Sequence, residues 1–159
     1  MKIPREKGYY VLLINVDGNI SIKIGSLGLV RFKKGFYIYI GSACGPGGLR
    51  ARIKRHLRKM KNPYWHIDYL LMNEHVSIVA IWFFIAKESP WDLESLISKN
   101  LNNLLDFIKG FGCSDKPSDL SHLYYCGLEL YTCINILNRI FKKYNLTHHI
   151  FHTTDLNTS

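Results

Sequence analysis

The chain has 159 residues, 47% of them hydrophobic, with 21 Lys and Arg against 12 Asp and Glu and a formal net charge of +9. This length and apolar content suit one domain with a real core, and the charge points to a polyanionic partner. No apolar run reaches the roughly 20 residues of a membrane-spanning helix, and Cys44, Cys113, Cys126 and Cys133 show neither a CxxC pair nor zinc-ligand spacing, so reduced thiols in a cytoplasmic protein are expected.

After a short basic lead-in, residues 8–16, GYYVLLINV, read as a strand, and Asp17-Gly18 is a hairpin signal that should fold residues 20–24 back onto it. Gly25 to Gly28 is a turn, residues 29–32 a short strand, and Lys33 to Gly35 another turn. Phe36 to Ile40 alternates aromatic and β-branched residues, which suits a half-buried strand. An antiparallel meander of three or four strands is thus expected before the first helix. Residues 41–48 hold four glycines and one proline in eight positions, a tight loop. From Leu49 the apolar residues Leu49, Ile53, Leu57 and Met60 form a helical stripe that Asn62-Pro63 should stop. Residues 65–72, WHIDYLLM, suit a short helix or packed turn, and residues 75–86 a buried strand. Ser89-Pro90 looks like a helix start, with the helix running to about Ile108 and ended by Gly110. Residues 110–120 are a loop, 122–125 a short strand, and 127–144 an amphipathic helix with Tyr131, Ile134, Leu137, Phe141 and Tyr144 on its stripe. The expected organisation is a domain over 1–125, a C-terminal helix over 126–145 and a frayed tail over 146–159.

Charge is segregated along this plan. From Gly18 to Ile67 there is no acidic residue, while Lys23, Arg31, Lys33, Lys34, Arg50, Arg52, Lys54, Arg55, Arg58, Lys59 and Lys61 all fall there. Such a run is either a solvated face or a binding face, and its place on structured elements favours the second. Arg52 and His56, four apart just after the Gly-rich loop, share a helix face and can meet a phosphate, or belong to an ordinary basic surface helix. Glu94 falls in line with the stripe of Ile97 and Leu101, where a carboxylate must be paired or bind a metal; the alternative is a first-turn Glu facing solvent. Tyr10 and Tyr39 are either sheet packing or site residues. His66 with Asp68 suits a hydrogen-bonded turn or a ligand pair. Asp115, Asp119 and His122 suit a polar capping loop. His148, His149 and His152 have the composition of a metal cluster within the expected tail.

Taken in order, Gly8-Tyr9-Tyr10, then Tyr39-Ile40-Gly41, then an Arg and a His on the next helix and a Glu on a later one resemble the GIY-YIG nuclease superfamily. GFYIYIGSACGPGGL, RIKRHLR, WHIDYLL and FGCSD followed by SHLYY are closer to its Uri-type branch, sometimes fused to endonuclease III-like proteins. The resemblance covers about residues 8–125. It implies an α+β fold, a small central antiparallel sheet flanked by helices, here with a C-terminal helical extension. It also implies a site of Tyr10, Tyr39, Arg52, His56 and Glu94, with Glu94 holding one Mg²⁺ or Mn²⁺ ion. The loop after Asp115 differs from the branch, with Lys116 and Ser118 where two cysteines often stand.

The expected activity is metal-dependent hydrolysis of phosphodiesters, in DNA more than RNA. Arg52 would hold phosphate oxygens, Tyr10 or His56 would take the proton of the attacking water, and nearby cations should lower the Tyr10 pKa. Arg50, Lys54, Arg55, Arg58, Lys59 and Lys61 would hold the nucleic-acid backbone. The rival readings are a non-catalytic nucleic-acid-binding module of the same fold and an interaction protein that joins a second copy or a repair protein through residues 127–144.

Overall fold

The computed structural model describes residues 2–154. Its centre is β1 (Gly8–Val16), a strand buried along nearly its whole length. β1 pairs antiparallel with β4 (Gly35–Ala43) on one side and β5 (Val76–Ile85) on the other. Outside β4 come β7 (Leu123–Gly127) and then β6 (Asp106–Phe107), and outside β5 comes β8 (His149–His152), giving the order β6-β7-β4-β1-β5-β8. Every pairing is antiparallel. The fold is therefore α+β, with four helices on a central antiparallel sheet and a helix near the C-terminus, as expected.

The sheet has a core on each face. Leu12, Ile14, Tyr10, Tyr37 and Tyr39 pack against Leu49 and Ile53 of α1 (Gly48–Leu57) and Ile67, Leu70 and Leu71 of α2 (His66–Leu71). Val11, Leu13, Ile38 and Ile40 pack on the other face against Leu93, Ile97 and Leu101 of α3 (Leu93–Asn102) and Cys133, Leu137 and Phe141 of α4 (Leu130–Lys143). The strict alternation of the two sets along β1 and β4 is the period-two signature of a strand covered on both sides.

The early meander is not formed. β2 (Ile20–Ile24) pairs only with β3 (Gly28–Phe32), in a separate two-stranded sheet. Both edges of β1 are already taken by β4 and β5, and the Asp17 N–H is bonded to the His75 carbonyl instead of closing a ladder. The first helix ends at Leu57, before Asn62-Pro63, and Met60 is exposed. The N-cap of α3 is Asp92, whose carboxylate accepts from the N–H groups of Glu94 and Ser95, and the helix stops at Asn102 so that 106–107 can add a strand. On α4 the buried positions are Cys133, Leu137, Ile140 and Phe141, while Tyr131 faces solvent.

Two boundaries also move. β7 crosses the expected 125/126 division, and residues 149–152, expected in a frayed tail, pair with 80–83 of β5. Apolar Ile150 and Phe151 explain the difference, since the latter is buried on the sheet; residues 155–159 of that tail lie outside the described residues. Cys126 and Cys133 form a disulfide across the turn from β7 to α4, against the expected reduced thiols, with Cα atoms 5.6 Å apart. Cys44 and Cys113 are free. No helix among the described residues is long and apolar enough to cross a membrane.

Candidate active site

The strand register places the two tyrosines first. Tyr10 lies opposite Gly41 and Tyr39 opposite Leu12, so both phenols enter the α1–α2 face near one end of the sheet. A Cβ on Gly41 would stand 2.3 Å from the Tyr10 hydroxyl oxygen, which is why glycine follows Tyr39-Ile40. His56, in the last turn of α1, closes the group: its Nε2 and the Tyr10 hydroxyl share a hydrogen bond at 2.7 Å. Ring centroids are 5.1 Å apart for Tyr10 and His56, and 6.4 Å for Tyr39 with either. The entry of α1 depends on Gly48, whose φ is +56° and where a Cβ would meet the Arg5 carbonyl at 2.1 Å.

All three rings are buried, and burial sets their protonation. It pulls the His56 pKa down to about 3, helped by the positive charges of Lys61, Arg52 and Arg55 and opposed by Asp68. His56 is a neutral imidazole, with Nδ1 buried and unpartnered. Burial pushes Tyr10 well above the ordinary phenol value; the Arg52 guanidinium opposes it, while Glu94 and Asp68 add to it. Tyr39 is raised by burial and then by Tyr10 and Glu94. The expectation that neighbouring cations lower the Tyr10 pKa fails because desolvation outweighs them.

Arg52 stands one turn before His56. Its Cζ lies 4.0 Å from the centroid of the Trp65 ring, which holds the guanidinium flat, and Arg55 approaches the same ring at 5.1 Å. Trp65 is fixed in turn by Asp68, whose Oδ2 accepts from the N–H groups of Tyr64 and Trp65 and from Arg55 at 2.8 Å. Those bonds, with burial working against them, hold Asp68 below the usual carboxylate range. Asp68 and His66 therefore build a turn, not a ligand pair, and His66 Nδ1 accepts from the Gly112 N–H. A cleft of about 370 Å³ opens beside Tyr39, lined by Tyr64, Trp65, His66, Gly112 and Asp115. The hollow at Trp91 and Tyr144 and the groove between α3 and α4 contain none of the five candidate residues.

Glu94 reaches the same end of the sheet from the opposite face. It is 7% exposed, so the solvent-facing alternative is wrong. Its Oε1 is 2.6 Å from Lys116 Nζ, which also bonds Asp92 at 2.8 Å. Burial works against the Lys116 ammonium, yet the two carboxylates hold its pKa well above the lysine value. Glu94 Oε2 faces His122 Nδ1 at 3.9 Å, and His122 Nε2 is 2.8 Å from Asp119. The sequence reads Asp119 and His122 as part of a polar capping loop with Asp115 and gives Lys116 no site role. The three-residue spacing of Asp119 and His122, just before an apolar strand, was the available signal. Tyr10, Tyr39 and His56 are thus in contact, Arg52 lies beside Tyr10, and the charge of Glu94 acts on both tyrosines. Among the described residues, no three His, Cys, Asp or Glu side chains converge as a metal cage. The expected histidine cluster is not formed either: His148 packs on Phe84 and Phe141, and His149 on Phe83.

The six basic residues expected to hold nucleic acid divide. Arg50 Nε donates to the Ile3 carbonyl, and Arg55 donates to Asn62 and Asp68. Lys59 donates to the carbonyls of Leu71, Asn73 and Val76, and Lys61 to those of Arg55 and His56. Burial pulls Lys61 down to about 8, partly against the pull of Asp68. Arg50 thus ties α1 to the N-terminal lead-in, and the other three brace the α1–α2 junction. Lys54 and Arg58 stand exposed.

Residues 9–145 match the family model described as domain of unknown function DUF123, and the chain belongs to that family. No curated protein and no solved structure matches it.

Proposed function

We propose that this DUF123 chain is a metal-dependent endonuclease that hydrolyses phosphodiesters, in DNA more than in RNA. The observation that carries the reading is the joining of Tyr10, Tyr39 and His56 in one buried cluster, with Arg52 beside it and a buried Glu94 whose charge reaches both tyrosines. The GIY-YIG resemblance assigns those same five residues.

The donor chemistry fits a divalent ion. Glu94 is a buried carboxylate whose Oε2 faces the unpartnered His122 Nδ1, 3.9 Å away. Mg²⁺ and Mn²⁺ are commonly held by one or two carboxylates, water and substrate phosphate. When bound, such an ion supplies charge relief on the phosphate and on the leaving oxygen. The protein's own groups do the rest. Arg52, held flat by Trp65, offers two parallel N–H donors to phosphate oxygens. Tyr10 works as an un-ionised phenol: it orients the attacking water and relays a proton to His56 Nε2 once substrate charge has entered the pocket. Tyr39 closes the pocket against bulk water.

A second reading, a binding module that does not cut, is favoured by one contact: Lys116 already neutralises Glu94. Incubating linear and branched DNA and RNA with the protein and Mg²⁺ or Mn²⁺, beside Glu94→Gln, separates the two. New ends that require both metal and Glu94 support the nuclease; salt-sensitive binding with no new ends supports the module.

A further inference from the structure

Behind Glu94 the structure holds a buried polar chain, His122 and Asp119, to which the nuclease resemblance gives no role. His122 is fully buried at the start of β7, with its carbonyl bonded to the Ile40 N–H of the central sheet. Its Nε2 is 2.8 Å from Asp119 Oδ2, which also accepts the Ser95 hydroxyl at 2.9 Å. An acceptor at that distance places the ring proton on Nε2. In the neutral ring this leaves Nδ1 as a bare lone pair. It is buried, has no hydrogen-bond partner and faces Glu94 Oε2 at 3.9 Å. Two electron-rich atoms facing each other in a dry site repel, and 3.9 Å is too long for a hydrogen bond. One ion bonded to each at about 2.1 Å holds them roughly 3.0 to 3.4 Å apart at octahedral or tetrahedral angles, so the pair closes by at least about half an ångström to bind it.

We propose that His122 Nδ1 and Glu94 Oε2 are the two protein ligands of one divalent ion, and that Asp119 orients the imidazole for it. The proposal rests on the nuclease reading for the role of Glu94 and adds a ligand. Three observations favour a cation there. A carboxylate on the far nitrogen is the arrangement that fixes the tautomer of metal-binding histidines. Asp92, Glu94 and Asp119 bring three formal negative charges and Lys116 one positive, so the group lacks one divalent ion's charge. Lys116 occupies Oε1 and leaves Oε2 for the ion. With two protein ligands the remaining positions stay open to water and phosphate, the mark of a catalytic site. A nitrogen beside an oxygen selects Mn²⁺, Co²⁺ or Zn²⁺ more strongly than Mg²⁺.

The test is Mn²⁺ and Co²⁺ binding to the full chain, read by calorimetry and, for Mn²⁺, by pulsed electron paramagnetic resonance for coupling to ¹⁴N. The proteins are wild type, His122→Gln, Asp119→Asn and Glu94→Gln, each checked for an unchanged circular dichroism spectrum. We expect nitrogen coupling in the wild type, its loss with at least about tenfold weaker binding in His122→Gln, and about ten- to a hundredfold weaker binding in Asp119→Asn. Asp119→Asn keeps size and shape and carries the test if His122→Gln does not fold. Bound Mn²⁺ without nitrogen coupling, or affinities unchanged by both His122→Gln and Asp119→Asn, overturns the proposal. If Glu94→Gln alone loses the ion, the proposal fails and the nuclease reading stands. If no variant loses it, or the wild type binds none, the proposal and the metal role of Glu94 fall together.

Discussion

The aromatic pocket under α1 and the carboxylate group at the start of α3 meet at the same end of the sheet and are built in opposite ways. Tyr10, Tyr39 and His56 are buried and uncharged, and the cations around them are tied down by stacking or by carbonyls. Asp92, Glu94 and Asp119 are charged, a single ammonium, that of Lys116, reaches only the first two, and the Asp119 Oδ1 and His122 Nδ1 atoms stay unsatisfied. The neutral pocket keeps an orphan atom of its own, His56 Nδ1, but holds no net negative charge for a cation to meet. A carboxylate group with both buried orphan atoms and surplus negative charge gains most from a cation. The pocket therefore shapes and positions, and the carboxylates accept charge.

The largest test of this division is Glu94→Gln. Losing the acid should lower cleavage about 10³-fold, roughly 4 kcal/mol, with nucleic-acid affinity nearly unchanged, as single-turnover cleavage and filter binding will read. On the opposite side, Arg52→Ala should cost about 10²-fold and weaken binding as well, and Arg52→Lys should recover little of it because a lysine has no planar fork. Equal losses of binding in Glu94→Gln and Arg52→Ala would erase the distinction between the two regions.

The neutral pocket also makes a prediction about acid. His56 sits at about 3 when folded against 6.5 for a free imidazole. The unfolded chain therefore takes up the proton first. Stability is complete above pH 6.5, falls as pH drops through the window between 6.5 and about 3, and is flat below it. Between pH 7.5 and pH 5 this one residue should cost about 2 kcal/mol. Urea unfolding at the two pH values should show that His56→Gln, though less stable at pH 7.5, loses about that much less on acidification. An identical acid loss in both proteins would mean that His56 is not held neutral. On the carboxylate side, Lys116→Met should tighten Mn²⁺ binding about tenfold, since a divalent ion no longer shares Glu94 with an ammonium. Unchanged affinity in that variant would show that Lys116 and the ion do not meet.

The two regions were not equally legible. The pocket follows from local pattern: alternating strands, a glycine where a phenol crosses, and a helix that begins on a glycine and carries Arg52 and His56 four apart. The carboxylate group depends on the loop 110–122, whose side chains are placed by tertiary contacts such as the Gly112 N–H to His66 bond. No local periodicity encodes Lys116 reaching Asp92 and Glu94 across 24 and 22 residues, or His122 approaching Glu94 across 28, separations read from their numbers. The misplaced hairpin has the same cause. Asp17-Gly18 is a sound turn, but β4 and β5 compete for the edges of β1 and win them by burying apolar residues on both faces. The overdrawn basic patch failed differently. Charge is visible in a sequence, whereas the carbonyls that occupy a lysine are not.

That last point yields the finest test, on the basic residues of α1 and of the segment just after it. If Lys54 and Arg58 are the residues of the six with free charge, Lys54→Ala with Arg58→Ala should reduce the slope of log affinity against log salt by about 1 to 2 and weaken binding uniformly across sequences. Lys59→Ala should leave the slope alone and lower stability instead, because its ammonium is spent on the carbonyls of Leu71, Asn73 and Val76. Fluorescence anisotropy over a salt series, run beside thermal melts, reads both effects. A slope that falls equally for the two sets would mean that Lys59 lets go of its carbonyls when nucleic acid binds. The brace at the α1–α2 junction would then be part of the binding face, and the neutral pocket would open toward substrate instead of standing preformed.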